Sequence, residues 1–480
     1  MNEQEKVNPI QPANEPKLES PVMRSTNGIM AAISNNQLTK IIMIGFLAML
    51  LQIPISMISS TVRERQVRSH QAMEEVASKW GREQQLIGPI ITVPYEIEVT
   101  QKEVTQYNDT TLGKSKTVTV VEYANFLPEE LKIDAKTENL LRHRGIFEIP
   151  VYRMNLTMNG QFTKPDFSEF KVQPTKILWD QARLILLITD PRAITNQAAI
   201  TWNNEKLAFE PGGKETNSMG RGIQISLKEK LTADSSTFSC KLTIQGSTGV
   251  FFAPLGRTTE AALESNWSDP SFQGNWLPTE QSTDQNGFRA TWQISSLGRN
   301  FSQSWVDTDT SKSPVACMDT FGVKFIQPVD TYSMAQRSIK YQLLFLALTF
   351  ITLWLFEVLA KVRLHALQYL LIGAGMCLFY LLELSLAEQL GFFLAYLLAA
   401  SSVILLVSCY CIAILKSPKR SAIVGAFISL LYGYLYTLLI NQDYALLAGS
   451  IGLFLLLGTV MYLTRKIDWN SFSNKQALRE

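Results

Sequence analysis

Two hydrophobic patterns alternate along the chain. Unbroken apolar runs cover Ile41–Ile58, Tyr341–Ala360, Ala366–Ala387, Gly391–Leu415, Ser421–Ile440 and Tyr444–Leu463, each near the roughly 20 residues that a helix needs to cross hydrocarbon. They predict six transmembrane helices, one near the amino end and five near the carboxyl end. Between them, Ser59–Lys340 is polar enough and long enough to build its own core. It opens on a helical pattern, with Met73, Val76, Ala77 and Trp80 on one face and Gly81 as a stop. The period then changes to two. Runs such as GPIITVPYEIEV, KTVTVVEY, FEIPVYRMNLTMNGQF, RLILLIT, TFSCKLTIQG and FRATWQI are separated by turn signals at Gly88-Pro89, Asp190-Pro191 and Asn286-Gly287. The fold class expected is a membrane protein of six transmembrane α-helices with a large, mainly-β, sandwich-like domain led by a stalk helix. Its boundaries read as 1–39 disordered tail, 40–60 first helix, 61–340 β-rich domain, 341–463 five-helix bundle and 464–480 tail.

Composition refines this picture. With 46% hydrophobic and 18% charged residues the averages resemble a soluble protein, and only the crowding of apolar residues reveals the membrane. Residues 1–39 are poor in aromatics and rich in Pro, Asn, Gln and charge, so they bury too little surface to offset chain entropy. The first span follows this polar stretch and reads as an uncleaved anchor. A net charge of +2 removes nucleic acid as a partner. The cysteines form neither CxxC nor a zinc-type cluster, and Cys240 and Cys317, outside the spans, are either two buried thiols or a disulfide.

Short loops report orientation through Lys and Arg, whereas long domains translocate largely regardless of charge. Lys361 and Arg363, then Lys416, Lys419 and Arg420, then Arg465 and Lys466 follow alternate spans, while Glu388-Gln389-Leu390 and Asn441-Gln442-Asp443 carry neither residue type. Both termini are therefore expected in the cytoplasm, with residues 61–340 outside.

Two carboxylates lie in the apolar runs, where burial costs at least ~2.5–3.5 kcal/mol at mid-bilayer. Glu357 is about 4.5 Å from the inner end of its span and is expected to pair with Lys361, one turn on. Glu383 is about 6 Å from the outer end and has no cation near it in sequence. It is a candidate functional residue if it meets a partner on another span or on the β domain. Small residues at Ala445/Gly449 and Ala448/Gly452 allow close helix approach; Tyr432 and Tyr436 read as packing aromatics.

In the β-rich part, NWSDPSFQGNWLP sets Trp267, Phe272 and Trp276 among prolines and glycine. They form either a platform for sugars or peptides or a plug at one end of the sandwich. Leu156-Thr-Met-Asn-Gly160 recurs loosely as Leu242-Thr-Ile-Gln-Gly246, a weak sign of duplication. Serine-hydrolase, zincin and complete P-loop motifs are missing from the sequence, and DTDTSKS around Asp307 and Asp309 reads as a solvated loop rather than a cation site. Neither cofactor nor metal is expected.

Many stretches in order, among them LQIPISMI, EVASKWGREQQLIGPIITVPY, RHRGIFEIPVY, ILWDQARLILLITDPRAI, QPVDTYSMAQRSIKY and FEVLAKVRLHALQYLL, closely resemble the CreD family over about residues 40–470. Ala366 departs from the proline that the family pattern leads one to expect. The resemblance implies a bacterial inner-membrane protein with a periplasmic domain, under a two-component sensor system. It implies roles in envelope integrity, envelope stress, colicin tolerance and the response to cell-wall-active antibiotics, and it carries over no catalytic residue. The function expected is non-enzymatic: the outer domain binds peptidoglycan, another envelope glycan or lipid, or a periplasmic or membrane protein, and the helices anchor it in the bilayer. The alternatives are a transporter or flippase of a lipid-linked or amphipathic substrate and, third, a wall-modifying enzyme built on acidic pairs.

Overall fold

The computed structural model describes residues 37–107, 110–212, 222–231, 233–307, 318–325, 331–360, 362–441 and 444–465. The expectations for residues 1–36, Asp309, Cys317, Lys361 and Lys466 fall outside them. The chain divides into two compact units, one running up to Arg65 and again from Asp330, the other spanning Gln66–Val329.

The helical unit begins with α1 (Gln37–Leu50) and α2 (Gln52–Trp80). The break at Leu51 has a covalent cause: Pro54 has no N–H to give the carbonyl four residues back. After the β unit come α3 (Thr331–Ala360), α4 (Ala366–Leu390), α5 (Phe392–Leu415), α6 (Pro418–Ile440) and α7 (Ala445–Thr464). Five helices among the described residues are long and apolar enough to cross a membrane, the first being the joined Thr39–Trp80; Ala445–Thr459 is a shorter apolar helix. Helix α4 starts at Ala366 because His365 and Gln368 form a capping box, the imidazole Nδ1 accepting from the Leu367 N–H at 3.3 Å and Gln368 Oε1 accepting from the His365 N–H at 2.9 Å. A histidine cap thus supplies the start that a proline would otherwise mark. The segment Glu388-Gln389-Leu390, expected as a loop, is helical; the connection is Gly391 alone, at φ 76°.

In the β unit two sheets share one core. The first has ten strands, in the order 270–274, 321–325, 249–252, 84–107, 183–188, 222–226 and 210–211, with 110–126 and 176–177 also bonded to 84–107 and with 304–306 bonded to 110–126. The second has eight, in the order 280–284, 287–295, 258–265, 130–144, 147–163, 235–247, 199–202 and 205–208. Among the described residues two pairings are parallel, Gln84–Leu86 with Val250–Phe252 and Glu130–Thr137 with Thr258–Ser265. Alternation over Glu130–Asn139 and Thr258–Ser265 turns Leu131, Ile133, Ala135, Ala261 and Leu263 inward. Trp202, Trp292, Tyr95 and Tyr152 are the bulkiest wholly buried side chains there.

Gly88-Pro89 is not a turn. It sits inside the strand Gln84–Tyr107, where the pairing register shifts between Ile87 and Ile90, and a bulge is where a strand tolerates a proline. Asn203 and Asn204 make the two-residue turn between Ala199–Trp202 and Glu205–Ala208, both with left-handed φ, a conformation that asparagine accepts readily.

Candidate functional site

The apolar sequence of α3 carries Ser338, Gln342 and Thr349, spaced four and seven apart, so they lie along one helical face. All three are buried. The Ser338 hydroxyl donates to Glu383 Oε2 on α4 at 2.8 Å, and Glu383 is wholly buried. Glu383 Oε1 has no hydrogen-bond partner among the described residues. Among them the partner of Glu383 is a hydroxyl on another span. Nearer the end where the chain passes to and from the β unit, the Tyr332 hydroxyl donates to Glu388 Oε1 at 3.1 Å, and Arg65 Nε lies 3.8 Å from the same oxygen.

Further along α3, Gln342 Nε2 donates to Gln52 Oε1 at 2.5 Å, fastening the start of α2. Thr349 returns its hydroxyl to the Phe345 carbonyl. At the opposite end, Glu357 is buried and pairs with Lys40 of α1, while the Tyr369 hydroxyl donates to its other oxygen at 3.3 Å. Among the described residues the cation of Glu357 is Lys40, brought alongside by helix packing that the local sequence does not encode. Between Gln342 and Thr349, and again between Thr349 and Glu357, lie about 10–12 Å of helix filled by Leu346, Phe350 and Leu353, all buried. The polar groups are separate fastenings rather than a continuous hydrogen-bonded chain. Sequence reasoning singled out Glu383 and missed Ser338 and Gln342; their polar stripe in an apolar helix was the available signal.

Glycine placement shows how closely these helices approach. A Cβ on Gly373 would stand 2.3 Å from Leu51 and 2.8 Å from Phe350. Gly452 lies under the Tyr434 ring, whose hydroxyl donates to the Ala448 carbonyl at 2.6 Å, whereas Gly449 faces open space. The Tyr396 hydroxyl donates to the Tyr432 carbonyl at 2.6 Å, and both rings pack against Phe379, Tyr396 edge-on and Tyr432 tilted.

In the β unit Trp267, Phe272 and Trp276 are half-buried against the core. Trp267 meets Phe325 edge-on, Phe272 meets Phe288 and Trp292 edge-on, and the Trp276 carbonyl accepts from the Trp292 indole at 3.2 Å. The three do not form one exposed platform. Phe272 alone lines a shallow cleft of about 420 Å³, with Ser268, Asp269, Pro270, Ser271, Gln281 and Thr283. Asp307 accepts from the Trp305 indole at 3.2 Å. Cys240 is a free thiol, 1% exposed, and burial pushes its pKa up to about 12. Among the described residues no three His, Cys, Asp or Glu converge as metal ligands would.

The family model described as Inner membrane protein CreD matches residues 36–470. The chain belongs to the CreD family. It is similar to the Inner membrane protein CreD of Escherichia coli (strain K12), 32% identical over 431 residues, which is 88% of this chain and 92% of that protein. A solved M1 zinc metallopeptidase from Deinococcus radiodurans overlaps 35% of this chain and 39% of its own at 9% identity, with a TM-score of 0.17, too slight a likeness to bear on fold or activity. The CreD family match and the helices together make this an inner-membrane, envelope-associated protein with a large β unit.

Proposed function

We propose that this chain contributes to cell-envelope integrity and the envelope-stress response without catalysing a reaction. Its β unit stands in the periplasm and binds an envelope component, and its helices anchor it with both termini in the cytoplasm. The observation that carries this reading is the shared helix α2. Gln52 fastens its start to α3 within the helical unit. In its last turns, within the β unit, Glu75 pairs with Arg144 at 2.9 Å, Trp80 lies under the Arg142 guanidinium, and the Trp80 indole donates to the Tyr152 carbonyl at 3.2 Å. The chain passes from one unit to the other within this helix. The cleft at Phe272, with an aromatic ring beside Asp269, Gln281 and Thr283, has the mix of apolar and hydrogen-bonding groups that suits a glycan.

The test uses full-length protein in nanodiscs with fluorescent peptidoglycan fragments and lipid-linked glycan precursors. Saturable binding without turnover, weakened severalfold by Asp269→Asn and Gln281→Ala, is the expected result. Cleaved products, or label carried across the bilayer of proteoliposomes, would replace it with the enzyme or flippase alternative.

A further inference from the structure

We propose that the groove between α3, α6 and α7 holds one anionic phospholipid, its headgroup phosphate on Arg420 and an acyl chain lying along the helices. The groove encloses about 850 Å³, within the roughly 300–1,000 Å³ of small-molecule sites. Its walls are one stripe from each helix, represented by Leu344, Leu348 and Leu355 on α3, Ile423 and Phe427 on α6, and Leu453 on α7. From Arg420 to Tyr434 it follows α6 for about 21 Å, longer than the ~15 Å of hydrocarbon in one leaflet. One extended acyl chain fits that length.

The polar groups of the groove are arranged for an amphipathic occupant. Thr352, Thr459 and Tyr434 spend their hydroxyls on the carbonyls of Leu348, Leu455 and Ala448, so the channel wall offers a ligand no free donor. Arg420 is the exception. It lines the groove and is half-buried, and no carboxylate or other acceptor among the described residues meets it. It lies in the first turn of α6, whose N-cap Ser417 makes no side-chain capping bond and whose N1 residue is Pro418. Uncapped amide N–H groups beside a guanidinium favour a phosphate. Lys416 and Lys419 add positive charge at the same end, the cytoplasmic end under the charge asymmetry of the loops.

The test is native mass spectrometry of the full chain, delipidated in detergent and titrated with phosphatidylglycerol or phosphatidylethanolamine. The wild type is expected to retain one phospholipid, with about fivefold preference for the anionic headgroup, the worth of one basic residue at a lipid surface. Arg420→Gln should remove the preference while leaving residual binding of both lipids. Gly449→Phe should abolish retention of both, since a side chain there enters open groove rather than a neighbour. Circular dichroism of both variants confirms that they fold. Equal, non-stoichiometric lipid on all three proteins, a co-purifying peptide mass, or a dimer that displaces lipid would overturn the proposal.

Discussion

Ser338 and Glu383 meet at 2.8 Å across two membrane helices, and the second oxygen of that carboxyl meets no donor among the described residues. A buried polar atom left unpaired costs about 1–3 kcal/mol, so a protein that keeps one has a use for it or a partner for it. Glu383→Gln, which preserves size, is expected to abolish complementation of envelope-stress sensitivity at normal membrane abundance. Ser338→Ala should act in the same direction. If both complement like wild type, Glu383 is a packing residue.

Glu357 behaves differently because its partners are present. Glu357→Gln leaves the Lys40 ammonium without its carboxylate, and removing one member of a buried pair costs about 3–5 kcal/mol. The expected readout is a lower Tm in detergent and reduced abundance, largely restored in Lys40→Met/Glu357→Met. A double variant no more stable than Glu357→Gln alone would dissociate the pair.

Cys240 sits between the sheets with its pKa raised to about 12 by burial, so at pH 8 it is a protonated, inaccessible thiol. Maleimide should label it only after denaturation, without prior reductant. A peptide linked to Cys317 in unreduced digests would contradict this.

Arg299 joins two loops. Its Nη1 donates to the carbonyls of Pro254, Leu255 and Gly256, its Nη2 to Gln303, and Gln303 in turn donates to the Leu127 and Pro128 carbonyls. Arg299→Met orphans several acceptors at once, and unfolding of the β unit in urea, followed by tryptophan fluorescence, should lose about 2–3 kcal/mol. Arg299→Lys, with a charge but no planar fork, should recover less than half of that.

Tyr152 packs its ring over Gly246, where a Cβ would stand 2.3 Å away, and its hydroxyl donates to the Gly249 carbonyl at 2.9 Å. Gly246→Ala is expected to destabilise the β unit by about 1–3 kcal/mol through overpacking. Adding Tyr152→Leu should offset part of the loss; strict additivity of the two would show that the ring moves aside freely.

Orientation is tested by cysteines placed at Ser417 and Gly145 in a background lacking the exposed Cys409. An impermeant maleimide should reach Gly145→Cys in intact spheroplasts and Ser417→Cys only after lysis. The reverse labelling would invert the proposed topology.

The membrane helices were legible because twenty apolar residues in a row have few other solutions, and so was the stalk pattern ending at Trp80. Strands Glu130–Arg144 and Thr258–Ser265 were not. KIDAKTENL and TEAALES are made of residues common in helices, and their parallel pairing with each other, together with an antiparallel neighbour on the far side of each, overrides that preference. The loose repeat around Leu156 and Leu242 has a geometric counterpart. The two leucines face each other on antiparallel neighbours, so Tyr152 falls opposite Gly246 and Phe238 opposite Gly160. Each aromatic covers the other strand's glycine, and that local two-fold accounts for the matching letters without requiring duplication. Glu383 stood out by depth alone, but its partner depended on which helix packs beside it, which no spacing within α4 reveals.

The parallel pairing of Gln84–Leu86 with Val250–Phe252 also sets a clock for biogenesis. Neither sheet can close until chain far downstream has arrived, and the roughly 240 residues from Gln84 to Phe325 take ~10–50 s to deliver at a synthesis rate of about 5–20 residues per second. For that interval the edge at Gln84–Leu86, destined for the middle of its sheet, stays open, although Ile91–Tyr107 already has its neighbour in the next strand of the chain. Nascent β unit is thus an aggregation hazard and a natural client for holding chaperones on whichever side of the membrane it emerges.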